Sequence, residues 1–154
     1  MDKKSTSRLI SPEMLKAYEE AIFSVNTISG KIHFQINRNS AELNSFLHSE
    51  MCTTAALITA YNPFSQPHSL EANEFAQQRL AQELYNRQIR FVLGEGRDAK
   101  GIWDAEPSLL ALEIKLKDAE ELAYKFQQNA FVWIERNNSP MLKLLFPVSR
   151  TSEN

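Results

Sequence analysis

Apolar positions along the chain recur at helical and strand periods in turn. Ser11 can cap a helix with Pro12 in its first position, and Met14, Leu15, Tyr18 and Ile22 then form one apolar stripe. Residues 31–36 (KIHFQI) alternate, with Ile32, Phe34 and Ile36 on one face and His33 and Gln35 on the other. That pattern predicts a strand buried on one side, at a sheet edge. From about Ser40, Leu43, Phe46, Leu47 and Met51 return to helical spacing. Residues 54–61 (TAALITAY) are apolar on both faces, as in a central strand, and end at Asn62-Pro63. A long helix over 70–87 follows, with Ser69 as its cap, and then a strand over 89–93 that Gly94-Glu95-Gly96 stops. A polar loop leads to an apolar strand over 108–114. Asp118 and Glu121 have capping-box spacing, with Asp in place of Ser or Thr. They open a helix whose Ala119, Leu122, Ala123 and Phe126 share a face. Strands 130–135 and 141–146 close the chain as a hairpin around Asn137-Asn138-Ser139-Pro140. The expected fold is α+β, a single mixed sheet of about six strands with four helices, over one domain at 11–149. The polar stretches 1–10 and 150–154 are expected to be loose ends.

The order of elements also sets strand direction. With the end of strand 54–61 taken as the top, helix 70–87 starts there and descends, so strand 89–93 climbs. A long hairpin over 95–106 then sends strand 108–114 down. Helix 118–127 climbs, because a crossover returns the chain for a parallel neighbour, and strand 130–135 descends. Under this tracing the polar segments flanking the buried strands share one edge. They are Thr59 and Asn62, Ser65 to Asn73, Arg97 to Glu106 with Ser108, and Gln127 to Asn129. Ligand sites in open α/β sheets lie at strand ends of this kind, beside helix N-termini that favour anions. A crossover in place of the hairpin would dissolve that convergence, and the segment is at the lower limit of length for one.

Composition narrows the chemistry. The 154 residues are 43% hydrophobic and 23% charged, ordinary values for a chain able to bury a core. A net charge of −2, a pI near 5.9 and the absence of any long Lys/Arg run argue against nucleic acid or an anionic membrane as partner. The first residues, MDKKSTSRLI, lack the apolar run of a signal peptide, and no run approaches the roughly 20 residues that cross a bilayer. The single cysteine, Cys52, excludes an internal disulfide and fits a reducing compartment, so a cytoplasmic location is the default. Cys52 follows a helix and has no obvious histidine partner, which favours an inert buried thiol over a nucleophile. His33, His48 and His68 match no metal-ligand spacing. Only four glycines occur, and no Walker loop, dinucleotide fingerprint or nucleophile elbow is present. No cofactor and no metal are expected. Oligomeric state is not set by any of these features.

Four segments of the expected edge stand out: Thr59-Ala60-Tyr61-Asn62-Pro63, Asn73, Glu106-Pro107-Ser108 and Gln128-Asn129-Ala130. On these motifs the chain resembles a bacterial family of short proteins known only as a domain of unknown function. The resemblance spans about residues 55–135 and implies that the motif residues define a shared site. It implies nothing about a substrate.

Each candidate has a functional and a structural reading. Glu106, held extended by Pro107, can act as a general acid or base in a partly dry pocket, or can accept hydrogen bonds from backbone N–H groups of the 62–73 loop. Asn62 binds a ligand or forms a local turn before Pro63. Asn129 either caps the preceding helix in a left-handed conformation or joins Gln128 in binding. Asn73, one turn into its helix, faces the pocket or solvent. Thr59 lies inside a buried strand, where its hydroxyl needs a partner such as a neighbouring motif residue, and Ser108 opens the strand 108–114 at the same edge. Arg97 and Lys100 hold an anion or belong to a solvated loop, and Trp103 is that loop's anchor or a stacking platform. Two functions follow. The first is a pocket that binds, and in one version transforms, a small polar ligand of nucleotide or sugar type, with Glu106 catalytic. Thr59, Asn62, Asn73, Arg97, Ser108, Gln128 and Asn129 would bind the ligand. The second is a non-enzymatic protein–protein interaction module whose motif residues brace loops while Tyr61, Phe64 and Trp103 offer an apolar contact.

Overall fold

The computed structural model describes residues 8–101 and 104–150. Helix α1 (Pro12–Glu20) leads into strands β1 (Ile22–Thr27) and β2 (Gly30–Phe34), then helix α2 (Ala41–Ser49) and strand β3 (Thr54–Ile58). A 3-10 turn (Pro63–Ser65) precedes helix α3 (Leu70–Asn86), strands β4 (Phe91–Arg97) and β5 (Glu106–Leu112), helix α4 (Leu116–Lys125), and the hairpin of β6 (Ala130–Glu135) and β7 (Met141–Leu144). The fold is α+β, with one sheet of seven strands in the order β2-β1-β4-β5-β3-β6-β7.

The seventh strand is β1, which the sequence pattern assigns to the end of the first helix. Ser11 does cap α1, accepting from the Met14 N–H, but the helix stops at Glu20 and Ala21 is extended. Ile22 therefore opens a strand instead of closing a helical stripe, and Phe23 and Val25 face inward opposite Phe34 and Ile32. The sheet is also wholly antiparallel instead of mixed. The crossovers through α3 and α4 each skip one position: β3 and β4 run the same way with β5 between them, and β5 and β6 run the same way with β3 between them. The traced strand directions hold, and the decisive hairpin is present, because Gly96 pairs with Glu106 and Gly94 with Ser108.

The two glycines of β4 do not stop the strand. A Cβ on Gly94 would lie 2.6 Å from the Ser24 carbonyl oxygen, so only glycine lets β1 approach this closely. The ladder continues to Arg97, and the expected loop shrinks accordingly. Helices α3 and α4 cover one face of the sheet, burying Leu80, Leu84 and Leu122 against Ile58, Leu109 and Trp133. Helix α2 covers the other, with Leu43 and Leu47 against Ala55, Leu57 and Leu110. Met51, expected on the stripe of α2, is 85% exposed because it occupies the left-handed position just after the helix. Asp118 and Glu121 form no capping box, since α4 begins at Leu116 behind Lys115. Their carboxylates instead bind Arg87, at 3.3 and 3.4 Å.

Candidate functional site

Pro107 decides where β3 ends. The register that sets Ile58 against Leu109 would next bring Ala60 opposite Pro107, which has no N–H to donate. Side chains replace the missing ladder. Thr59 Oγ1 donates to the Pro107 carbonyl at 2.7 Å and accepts from the Tyr61 N–H at 3.0 Å. Gln77 of α3 accepts from the Ala60 N–H at 2.8 Å and donates to the same carbonyl at 3.1 Å. The strand expected to reach Tyr61 thus leaves the sheet at Ile58, and two of the motif segments meet at one proline.

The next residues are held in an unfavourable backbone. Asn62, Phe64 and Ser65 have φ of 46°, 56° and 61° around Pro63. Asparagine tolerates the left-handed region, but other side chains there cost about 1–2 kcal/mol each. The turn is pinned by the Phe64 N–H donating to Gln127 O at 2.6 Å and the Ser65 N–H donating to Asn62 O at 2.7 Å. Gln128, buried, donates to the Tyr61 and Phe126 carbonyls at 3.1 and 3.2 Å. The left-handed residue after α4 is Gln127 and not Asn129.

Asn62 is the hub of the first constellation. Its Nδ2 donates to Glu106 Oε2 at 2.9 Å, while its Oδ1 accepts from Asn73 Nδ2 at 2.9 Å and from the His68 N–H at 3.0 Å. The Asn62 N–H donates in turn to Asn73 Oδ1 at 2.8 Å. Asn73 is buried and faces this edge, not solvent. The carboxylate therefore meets a side-chain amide, and Asn62 takes a loop N–H of the kind that the structural reading gave to Glu106. Glu106 is half-buried and forms no ion pair among the described residues. Burial pushes its carboxyl above the ordinary range, and the Asn62 amide only partly opposes that. Tyr61 lies close enough that burial, Glu74 and Glu106 together push its phenol up.

Asn129 belongs to a second constellation. It is 2% exposed; its Oδ1 accepts from Arg8 Nε at 2.7 Å, and its Nδ2 faces Tyr18 Oη at 3.1 Å and Ser65 Oγ at 3.2 Å. Arg8 also donates to the Phe64 carbonyl at 3.0 Å and stacks 4.0 Å from that ring's centroid. The turn 62–65 joins the two constellations. Ser108 is buried, but its hydroxyl only reaches the Glu106 carbonyl at 3.3 Å. Arg97 is exposed at the end of β4 opposite Ile22 and touches neither group. Lys100 is exposed in the hairpin loop, and Trp103 lies outside the described residues.

Sequence reasoning missed two residues. Gln77 was detectable as an amide on the inward face of a helix beside a proline-containing strand. Arg8 sits in a polar stretch without periodicity and gave no such signal. Two open clefts lie elsewhere, one lined by Glu120, Tyr124 and Leu145 among others and one by Tyr85, Asn86, Gln88, Ile89, Arg90 and Phe91 where α3 gives way to β4. No helix among the described residues is long and apolar enough to cross a membrane, and none of their His, Cys, Asp and Glu side chains cluster as a metal site would need.

Fold and site together define an α+β protein with a central antiparallel sheet and a braced carboxylate–amide cluster at the strand ends. Residues 58–131 match the family model of a protein of unknown function, DUF3293, and the match contains all four motif segments. No curated protein and no solved structure matches the chain.

Proposed function

We propose that this edge binds a small polar ligand of nucleotide or sugar type, and that Glu106 shares or moves a proton with it. The observation that carries the reading is a half-buried carboxylate held by one neutral amide, with no cation beside it among the described residues. Such a group holds its proton to higher pH than a surface carboxylate and is equipped for general acid–base work. Asn62 and Asn73 act as positioning residues, since their amides are spent on each other, on Glu106 and on the turn. Contact with the ligand then falls to Glu106 and the Tyr61 phenol. The alternative, a protein-docking module, is less well supported. Phe64 is occupied by the Arg8 guanidinium and meets Phe146 edge-on, so it offers little free surface to a partner.

The test is a thermal-shift screen of nucleotides, sugars and sugar phosphates against the wild type and Glu106→Gln. At least one compound should stabilise the wild type, with its effect altered in the variant. A screen without a hit, or hits indifferent to Glu106→Gln, would turn the reading toward partner docking.

A further inference from the structure

Arg8 has no part in the chemistry proposed for Glu106, yet its guanidinium is firmly placed. Nε donates to Asn129 Oδ1 at 2.7 Å and Nη2 to the Phe64 carbonyl at 3.0 Å. Cζ lies 4.0 Å from the Phe64 ring centroid and 5.6 Å from that of Phe146. Among the described residues Arg8 forms no ion pair. A guanidinium has five N–H donors in a planar fork, and these two bonds leave the remainder of the fork unused. No buried side-chain nitrogen among the described residues lacks a partner, so Nη1, which donates to none of them, is not sealed from solvent. Beside them the Tyr18 and Ser65 hydroxyls, 2.8 Å apart, are tied to the same Asn129 amide.

We propose that Arg8, with the Tyr18 and Ser65 hydroxyls, forms a subsite for an oxyanion, a phosphate or carboxylate group of a ligand. A guanidinium already fixed by two hydrogen bonds and two rings has little conformational freedom left to lose on binding. Its fork matches two oxygens of one anion. Partial burial also lowers its proton affinity, a desolvation that a bound anion would offset. Tying the segment before α1 to Asn129 and to the turn 63–65 accounts for the two donors in use and leaves the others to the anion. The subsite rests on Arg8 and stands whether or not Glu106 handles a proton.

The test titrates inorganic phosphate and, separately, acetate against the full chain at constant ionic strength held with chloride. The Arg8 Nε–H NMR signal, assigned by its loss in Arg8→Lys, should move saturably with at least one of the two anions. At ten times the dissociation constant the Tm should rise by about 4 °C. That rise should vanish in Arg8→Gln and shrink in Arg8→Lys, which keeps the charge without the fork. A response to phosphate alone identifies a phosphate group, and a response to acetate alone a carboxylate. Phosphate also stabilises proteins by exclusion from their surface. An equal Tm rise in wild type and Arg8→Gln with no saturable NMR response therefore overturns the proposal, as does no response to either anion. Should Arg8→Gln not fold, the wild-type NMR titration and the lysine variant decide alone.

Discussion

Strand β5 carries a glutamate at each end, and the two are built in opposite ways. Glu113, just past its lower end, is exposed and accepts three hydrogen bonds through one oxygen. They come from the Thr53 N–H at 2.7 Å, the Thr53 hydroxyl at 3.1 Å and the Thr54 N–H at 3.2 Å. Those bonds hold its carboxyl below the ordinary range. Glu106, at the upper end, is half-buried, receives one neutral amide and is held above it. Glu113 caps the start of β3 and is satisfied where it stands. Glu106 keeps capacity to spare, at a cost to the native state. Carboxylates of the first kind brace folds; those of the second kind are where chemistry is found.

The sharpest way to break this contrast is Asn62→Ala. The substitution removes the one amide that Glu106 receives among the described residues, strands the Asn73 side chain and the His68 N–H, and leaves alanine at φ near 46°. Stability should fall by about 3 kcal/mol in urea unfolding. The folded carboxyl of Glu106 should titrate higher still, as followed by carbon NMR. A loss under about 1 kcal/mol would show that Asn62 is not what holds the edge together.

Glu113→Ala should be milder, a loss of about 1 kcal/mol at neutral pH, discounted for exposure. Because its folded pKa is depressed, the stabilisation is present above the unfolded carboxylate value of about 4.3 and disappears as pH falls through the folded pKa. Wild type and variant should converge in acid. A constant gap between pH 8 and pH 3 would refute the bracing role.

Glu106→Gln should have the smallest effect and the opposite sign. A raised folded pKa stabilises below the unfolded value and loses that stabilisation as pH rises through the folded pKa. The variant should be more stable than wild type by about 0.5 kcal/mol at pH 8, with the gap closing toward pH 4. If the substitution destabilises at pH 8, Glu106 is a brace like Glu113, and the comparison between the two ends collapses.

Much of this arrangement was legible in the chain. The direction of β3, β4, β5 and β6 followed from alternating elements and one hairpin, because each helix must return the chain to the opposite end. Strand β1 was not, since Ile22 continues the helical spacing of Met14, Leu15 and Tyr18 and no glycine marks the stop. Gly94 misled in the other direction, as its role is the approach of Ser24 from a strand far away in sequence. At the site, Asn62, Asn73 and Glu106 were recognisable as polar residues at buried strand ends. Their pairing was not, because it depends on a turn whose left-handed backbone is imposed by contacts with Gln127 and Arg8. Asn129 went to the wrong partner set for the same reason.

The position of β5 also bears on how the chain assembles. In the order β2-β1-β4-β5-β3-β6-β7 it is the middle strand, and the three on either side have no ladder to one another except through it. The hairpin of β1 and β2 can form locally, but the sheet cannot become continuous until residues 106–112 have inserted between two strands made earlier. Loop closure of that kind precedes its reward and slows folding. A ligand gripping Glu106 would hold the first residue of the strand that joins the two halves. Its binding should then be felt as slower hydrogen exchange on both sides of the sheet, far from the carboxylate itself.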